Sequence, residues 1–393
     1  MFMPKRALLA SAISTAIFVS PSSFADDSVD DAVSTDFEVI VVSGTKTEKP
    51  LKDVAGSISV ITEQDIEKQL VTDMSQLFKY DPSVQVSGSN GGAQNIIVRG
   101  MGGDRVLMIK DGMRMNEGYG ANGLNDIVGR GFIETDTLKQ VEVAKGASSS
   151  LYGSDALGGI VVFTTKDASD YLTDGETFAG NVKIGYSDDG QQANIGTTFA
   201  LATGDFEQLL NLNYRDGEEA QNYDGTKPDL GIESTSIFYK AKYNFNKDTY
   251  LSFTADIWNQ DVTGDTAYGL LEYFRDLDGY TIVDENSEST KDNQAFQLRF
   301  HSETATVMYD LVNISLYSNS TEQEDIEYGQ LDINANFGYP VVEIRDMWKT
   351  ANYTQETQGF LSNASLALND MHTLGYGLDI ENSTSSRTEF KLY

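Results

Sequence analysis

The strongest pattern in the chain is an alternation of apolar and polar residues that begins near residue 180 and continues to residue 393. Successive side chains of a β-strand point to opposite faces, so this alternation gives each segment one apolar and one polar face. The clearest examples are Leu210, Leu212 and Tyr214 against Asn211, Asn213 and Arg215; Ile237, Tyr239, Ala241, Tyr243 and Phe245 against Lys240, Lys242 and Asn244; and Leu374, Tyr376, Leu378 and Ile380 against Gly375, Gly377 and Asp379. Segments of about ten residues that alternate in this way and are rich in Tyr and Phe are typical of transmembrane β-barrel strands. A soluble β-sandwich alternates similarly, but usually with shorter strands.

The connections between these segments alternate in length, as they do in outer-membrane barrels with short periplasmic turns and long outer loops. The short ones are Thr203-Gly204-Asp205, Asn246-Lys247-Asp248, Glu303-Thr304 and Asn369-Asp370, and the long acidic ones lie near 215–233, 261–291 and 319–345. This pattern predicts about nine strands, with the last one rising at residue 393. Because plugged transporters have about 22 strands, we expect an incomplete barrel that is C-terminally truncated.

Residues 51–170 have a different pattern, which predicts a compact α/β domain. Thr62 and Asp65 have the spacing of a capping box at a helix start, and we expect a second short helix to begin at Thr72. Asp111-Gly112 lies between two apolar runs and predicts a hairpin turn.

The N-terminus predicts export. Lys5 and Arg6 precede an apolar run from Ala7 to Val19, and Ser23-Phe24-Ala25 has the small-x-small form of a signal-peptidase site. We therefore predict a signal peptide at 1–25 and a flexible acidic leader at 26–50.

The composition of the chain excludes several classes of function. The chain has 60 acidic and 28 basic residues and a formal net charge of −32, which argues against a nucleic-acid partner. It has no cysteine, which excludes disulfides and thiolate chemistry, and only two histidines, His301 and His372. No catalytic triad, HExxH motif or P-loop is present, so we predict no enzyme activity and no catalytic cofactor.

The segment VEVAKGASSSLYGSDALGGIVVFTTK, which begins at Val141, resembles the end of the plug domain of TonB-dependent outer-membrane receptors. Val98-Arg99-Gly100 and Lys110-Asp111-Gly112 match two further motifs of that family, whereas Lys145-Gly146-Ala147 stands where the family usually has Arg-Gly-Pro. Thr164-Thr165-Lys166-Asp167 and the residues before it are most similar to the haem/haemoglobin receptor subgroup.

The resemblance implies an α/β plug domain at 51–170, followed at 180–393 by antiparallel strands of a transmembrane β-barrel. It also implies a receptor in the lipid of the outer membrane that imports an iron-containing ligand, haem or haem from haemoproteins, with energy delivered by TonB in the periplasm. Haem would be a transported ligand. The alternatives are a siderophore or other scarce-nutrient receptor of the same class, and a passive porin or adhesin barrel.

The resemblance also implies roles for particular residues. The run of Glu38, Val39, Ile40, Val41, Val42 and Ser43 has the position of the TonB box, a strand that pairs with the energy-transducing partner; the alternative is an ordinary first strand of the plug. In the family, plug arginines pair with barrel glutamates, which gives Arg99 a plug–barrel contact; the alternative is a solvated arginine at a strand end.

The loop from Met113 to Arg130 is the candidate ligand-binding loop, because it is rich in Gly and Asn between predicted strands. We expect ligand contacts from Asn116, Glu117, Tyr119 and Asn122. Tyr119 stands where haem-importing receptors commonly present a histidine, and a phenolate can ligate haem iron, so Tyr119 is the candidate metal ligand. The alternative is that Tyr119 only contacts the cargo or packs.

Overall fold

The computed structural model describes residues 40–41, 49–51, 54, 56–88, 94–116, 118–119, 127–128, 133–147, 156–173, 175–219, 229–336, 339–369 and 371–392. The predicted signal peptide and most of the predicted leader lie outside these residues. Within the described ranges, no helix has both the length and the apolar character needed to cross a membrane.

The N-terminal part of the described chain consists of short strands and two short α-helices. The strands are β1 (Ile40–Val41), β2 (Lys49–Pro50), β3 (Ile58–Thr62), β4 (Val84–Ser87), β5 (Asn95–Val98), β6 (Val106–Lys110), β7 (Met113–Arg114), β8 (Gly118–Tyr119), β9 (Ile127–Val128), β10 (Leu138–Lys145) and β11 (Gly159–Thr165). The helices are α1 (Glu63–Lys68) and α2 (Met74–Leu77). Five of these strands form one sheet in the order β3-β10-β11-β6-β7, in which β11 and β6 are parallel and the other pairs antiparallel.

The central strands of this sheet are buried on both faces, which explains their continuous apolar runs. Every residue of β6 is buried, and in β11 only Thr164 is not. Val141, Val143, Val161 and Phe163 form one core with residues of both helices, among them Ile66. The predicted capping box is confirmed, because the Thr62 hydroxyl accepts from the Asp65 N–H while the Asp65 carboxylate accepts from the Thr62 N–H. The second helix begins at Met74, two residues later than predicted, with Asp73 as its N-cap.

The C-terminal part forms a nine-stranded antiparallel sheet in which each strand pairs with the next. The strands are β12 (Phe178–Ser187), β13 (Gln192–Thr203), β14 (Phe206–Glu218), β15 (Leu230–Asn246), β16 (Thr249–Gly264), β17 (Tyr280–Ser302), β18 (Leu311–Asn336), β19 (Pro340–Asn369) and β20 (His372–Leu392). The predicted alternation is confirmed in β14, where Asn211, Asn213 and Arg215 are buried and Leu212 is exposed.

The predicted long loop at 319–345 is wrong. Strands β18 and β19 run through it and pair from Leu311 with Ser365 to Asn336 with Pro340, so that only 337–339 separates them. Each strand satisfies the main-chain groups of the other, and this pairing replaces the solvation that a polar loop would need. The other two predicted loops are shorter than expected, at 219–229 and 265–279, and the turn at Glu303-Thr304 extends over 303–310.

The connection at 265–279 packs on the projecting hairpin of β18 and β19. It contains α3 (Tyr268–Leu271), whose Leu271 is buried with Leu331 and Met347. Glu285 of β17 holds the connection by accepting hydrogen bonds from the Ala267 N–H and from both terminal nitrogens of Arg275, at 2.8, 2.9 and 2.6 Å. The remaining short helices are 3-10 turns at Gly103–Arg105, Thr135–Thr137, Ala168–Asp170, Asp189–Gln191 and Glu272–Phe274.

The connections alternate between the two ends of the nine-stranded sheet, which gives a topology that labelling can test. Asp278 and Tyr339 lie in connections at one end, and Lys247 lies in a turn at the other. Because the chain has no cysteine, a variant with one introduced cysteine is labelled at that position alone. A membrane-impermeant maleimide should label Asp278→Cys and Tyr339→Cys on intact cells, and Lys247→Cys only after permeabilisation. Labelling of Lys247→Cys on intact cells would reverse the orientation of every strand.

Candidate functional site

The hairpin at Asp111-Gly112 is the centre of the contact between the two sheets. It joins β6 to β7, and both residues have positive φ, 48° at Asp111 and 83° at Gly112. Glycine is needed at 112 because a Cβ there would also lie 2.7 Å from Nη2 of Arg299. The predicted turn is therefore confirmed, and its geometry brings the main chain of the plug hairpin against β17.

Side chains of both sheets hold this hairpin. The Asp111 carboxylate accepts hydrogen bonds from the Thr165 N–H and hydroxyl, at 2.9 and 2.6 Å, and the Asp111 carbonyl accepts from Gln297 and Arg299 of β17. Lys240 of β15 donates to the Thr165 hydroxyl at 3.0 Å and pairs with Asp167 at 2.8 Å. Burial alone would raise the pKa of the Asp111 carboxyl, but the positive charge of Lys240 and the two bonds from Thr165 outweigh it and lower that pKa.

A second buried contact joins Lys110 to Asp256 of β16. Their Nζ and Oδ2 atoms are 2.5 Å apart, and each side chain is only 8% exposed. Moving each charge out of water costs several kcal/mol, and the attraction between the two charges offsets this cost. Burial of either charge without its partner would therefore be strongly unfavourable here.

Two further plug carboxylates meet cations of the nine-stranded sheet. Glu134 accepts from two nitrogens of Arg215 in β14, and the third guanidinium nitrogen donates to the Thr72 carbonyl at 3.1 Å. Asp136 pairs with Lys183 of β12. The sheet thus supplies most of the cations and the plug most of the carboxylates.

Asn116 is bound to the wall formed by β18 and β19. Its Nδ2 donates to the Thr321 hydroxyl at 2.9 Å and to the Gln355 carbonyl at 3.2 Å, and its Oδ1 accepts from the Thr357 hydroxyl at 2.8 Å. The side chain is buried, with 3% of the residue exposed. These bonds place Asn116 against the wall, and its expected contact with the ligand stays a prediction.

The structure describes the other expected ligand residues only in part. Glu117 and Asn122 lie outside the described residues. Tyr119 is described only by its main chain, which pairs with Ile127. Its contact with cargo and its role as a metal ligand stay predictions. Within the described ranges, no group of three or more His, Asp or Glu side chains is arranged to hold a metal ion.

The predicted TonB box is also described only in part. Ile40 and Val41 pair antiparallel with Pro50 and Lys49, and the rest of the run lies outside the described residues. Pairing with TonB therefore stays a prediction.

Arg99 lies on the surface of the plug with φ 51°, and its Nη1 donates to the Lys145 carbonyl at 3.3 Å. Lys145 in turn pairs with Asp81 at 2.8 Å. In the part of the chain that the structure describes, Arg99 is thus placed against the plug's own strand β10, and its contact with a barrel glutamate stays a prediction.

The ion pairs between the two sheets were not predicted from the sequence, although the sequence contains a signal for them. Arg215 and Lys240 stand at polar positions of strands whose alternate residues are apolar. A long cation on the inward face of such a strand needs a carboxylate opposite it. The sequence alone did not identify which carboxylate, because the partners lie 81 and 73 residues away, at Glu134 and Asp167.

A family model described as the TonB-dependent receptor plug domain matches residues 50–160, the segment that carries the hairpin and its anchors. The chain carries a TonB-dependent receptor plug. The nine strands that follow have the fold of the barrel strands of such receptors.

Curated relatives are similar over the plug and part of the barrel. The vitamin B12 transporter BtuB of Vibrio vulnificus is 30% identical over 250 residues, which cover 60% of this chain and 38% of that protein. Hemoglobin-binding protein A of Haemophilus influenzae is 27% identical over 271 residues, which cover 63% of this chain and 27% of that protein. The receptor chain thus spans about a third of the length of these relatives.

Solved structures share the fold. The FrpB iron transporter from Neisseria meningitidis matches with a TM-score of 0.57 and 17% identity, over 86% of this chain and 62% of that one. The copper transporter OprC matches with a TM-score of 0.62 and 17% identity, over 85% and 47%. At this identity the likeness concerns the architecture alone.

The buried pair between Lys110 and Asp256 yields a stability test. Lys110→Met or Asp256→Leu leaves one buried charge without its partner, so each should lower the free energy of unfolding by about 3–5 kcal/mol. The double variant removes both charges and should be close to the wild-type receptor. Urea unfolding of the detergent-solubilised receptor measures this difference.

Lys139→Met is the matched control, because Lys139 pairs with Asp170 but its side chain is 46% exposed. Such a pair is worth at most about 1 kcal/mol. Single variants at Lys110 and Asp256 that unfold like this control would contradict the assignment of a buried pair.

Proposed function

We propose that the receptor imports an iron-containing ligand, haem or haem taken from haemoproteins, across the outer membrane with energy from TonB. Haem is then the cargo, and the protein's partners are TonB in the periplasm, the lipid of the outer membrane and the haem source outside the cell. The mechanism needs no bond chemistry. Cargo binds on the outer side, and the plug rearranges when TonB acts on it.

The observation that carries the proposal is the plug's attachment to the inner wall of the barrel strands. Lys110, Asp111, Glu134 and Asp136 are each held by groups of the wall. Separating a buried charge from its partner is costly, so a passage through the plug needs an external source of work. Strand addition at residues 38–43 is a physical means to deliver it, because free main-chain groups of an extended segment pair with another protein's sheet edge.

The choice of haem rests on two similarities. The segment from Val141 to Asp167 resembles the haem/haemoglobin subgroup, and several curated relatives are named as hemoglobin-binding proteins. The runner-up is another scarce nutrient of the same receptor class, such as a siderophore. Vitamin B12 belongs among these, because the relative from Vibrio vulnificus is a vitamin B12 transporter.

A passive porin or adhesin is the rival from another class, and removal of the TonB box separates it from active import. Deleting residues 38–43 should abolish haemin uptake by cells and leave haemin binding at the cell surface unchanged. The reason is that the segment transmits work and does not touch the cargo. Deleting residues 28–33 of the leader is the matched control and should leave uptake intact. Uptake that persists after deletion of 38–43 would exclude a TonB-driven importer.

Tyr119 is the proposed plug-side ligand of haem iron, and Tyr119→Phe tests it by removing the oxygen and keeping the ring. Phenolate is a known ligand type for haem iron. If it ligates, the variant should bind haemin more weakly and with a shifted absorption spectrum. Stacking on the ring alone predicts little change. A wild-type spectrum in the haemin-bound variant would exclude ligation and leave the ring contact.

A further inference from the structure

The turn between β17 and β18 differs from the other turns at its end of the nine-stranded sheet. Two residues separate the strands at 204–205, at 247–248 and at 370–371, whereas 303–310 takes eight. The tip of this turn consists of two apolar side chains, Val307 and Met308, which are 95% and 67% exposed. Residues 303–310 are called the β17–β18 turn below.

The β17–β18 turn has a defined shape that holds its tip in place. The Thr306 hydroxyl accepts hydrogen bonds from the N–H groups of Met308 and Tyr309, at 3.1 and 3.0 Å, and it donates to the Tyr309 carbonyl at 3.1 Å. At the end of the turn, the Asp310 carboxylate accepts from a main-chain N–H of β19 at 2.6 Å. The exposure of the two apolar side chains is therefore a property of an ordered turn.

Tyr376 of β20 shows which face of the sheet the turn lies against. Glu381 of the same strand faces the plug, where its carboxylate lies 3.9 Å from Arg114. Because side chains alternate along a strand, Tyr376 points to the opposite face, which is called the outward face below. Its hydroxyl donates to the Met308 carbonyl at 2.5 Å. Since β19 lies between β20 and β18, the ring of Tyr376 extends across β19 to reach the turn.

Burial on the outward face agrees with this placement of the Tyr376 ring. Ala364 of β19 pairs with Val312 of β18 on one side and with Tyr376 on the other, so all three share this face. Val312 and Ala364 are only 8% and 7% exposed, whereas Leu316 and Leu378 on the same face are exposed. The β17–β18 turn is thus folded against the outward face.

The tip of the turn is continuous with an apolar surface. Leu374 and Leu378 flank Tyr376 on the outward face of β20, and both are exposed. Tyr376 connects this row to Met308. In a membrane barrel, the apolar outward face of the strands contacts lipid. The two exposed side chains at the tip therefore extend the lipid-facing surface at the end of the strands.

The charge of the turn indicates which part of a lipid it fits. Residues 303–310 include two carboxylates, Glu303 and Asp310, and no basic residue. A protein segment that binds anionic headgroups supplies lysine or arginine for them. The turn offers none, so its attraction to a membrane must come from burial of Val307 and Met308 among apolar lipid groups.

We propose that Val307 and Met308 insert into the inner leaflet of the outer membrane and anchor the β17–β18 turn at the boundary between headgroups and acyl chains. The inner leaflet follows from topology, because the turn lies at the same end of the sheet as Lys247, which is the predicted periplasmic end. Apolar side chains on an interfacial segment bind membranes by inserting at this depth. This inference rests on the proposed function, in which the lipid of the outer membrane is a partner.

A fluorophore on a single introduced cysteine tests the insertion in receptor reconstituted into vesicles of phosphatidylcholine and phosphatidylethanolamine. An NBD label on Val307→Cys should be quenched by lipids that carry a doxyl group near the top of the acyl chain. Iodide present on both sides of the membrane should not quench it. Because Val307 is almost fully exposed, this substitution should leave the fold unchanged.

Lys247→Cys is the matched control, because it lies in a polar turn at the same end of the sheet. Its label should be quenched by iodide and not by doxyl lipid. A label at 307 that iodide quenches as fully as the label at 247 would overturn the inference. Protection from iodide without quenching by doxyl lipid would indicate contact between copies of the receptor, and it would overturn the inference too.

Tyr376→Phe, combined with Val307→Cys, removes the hydroxyl that holds the turn and keeps the ring. The released turn should expose the label, so iodide quenching should increase. Tyr243→Phe removes an outward-facing phenol hydroxyl from β15 and should leave the quenching of the label unchanged. Unchanged quenching in the Tyr376→Phe variant would overturn the role of Tyr376 in holding the turn.

Flotation of the vesicles separates this inference from the proposed function. Receptor that does not float with the vesicles contradicts both the inference and the outer-membrane location in the proposed function. Receptor that floats with the vesicles but carries a water-exposed label at 307 contradicts the inference alone.

Discussion

Everything in this receptor depends on the pairing of buried charges between the plug and the inner wall of the barrel strands. Lysine and arginine side chains on the polar face of these strands point into a space that the plug fills. A charge enclosed there is removed from bulk water, so it must meet a group of opposite sign. Lys240 meets Asp167 and Arg215 meets Glu134. The sign is reversed where Lys110 and Arg114 of the plug meet Asp256 and Glu381 of the wall. The charges of the plug and of the wall are therefore complementary, and they determine how the two parts fit together.

The charge pairs between plug and wall also bear on the proposed import. A lumen lined with unpaired charges would be stable only if it were full of water, and the receptor would then be an open pore. The plug's carboxylates pair with the wall's cations instead, so these charges do not need that water. The Asp111-Gly112 hairpin adds main-chain contacts with Arg299 and Gln297, which fix the register between the two sheets. Moving the plug against these pairs requires work, and this requirement is why the N-terminal strand-forming segment matters to the proposed function.

The sequence predicted much of the architecture, and the limits of the prediction have a physical cause. Alternation identified the strands and their polar faces, as at Asn211, Asn213 and Arg215, because the period of two is local. The hairpin at Asp111-Gly112 was predictable for the same reason. The extension of β18 and β19 through 319–345 was not. The polar main chain of this hairpin is satisfied by the neighbouring strand, and its apolar residues pack on Leu271 of a distant connection. The role of Asn116 depends on Thr321 and Thr357, more than 200 residues later, and no local pattern encodes that contact.

The most direct test of this account is the ion conductance of the purified receptor in a planar lipid bilayer. Buried pairs between plug and wall predict that the plug stays in place, so the wild-type receptor should show no steady channel current at neutral pH in ordinary salt. A receptor from which the plug residues 51–170 are deleted should conduct. A stable open channel in the wild-type receptor would contradict the central claim that buried charge pairs hold the plug against the wall.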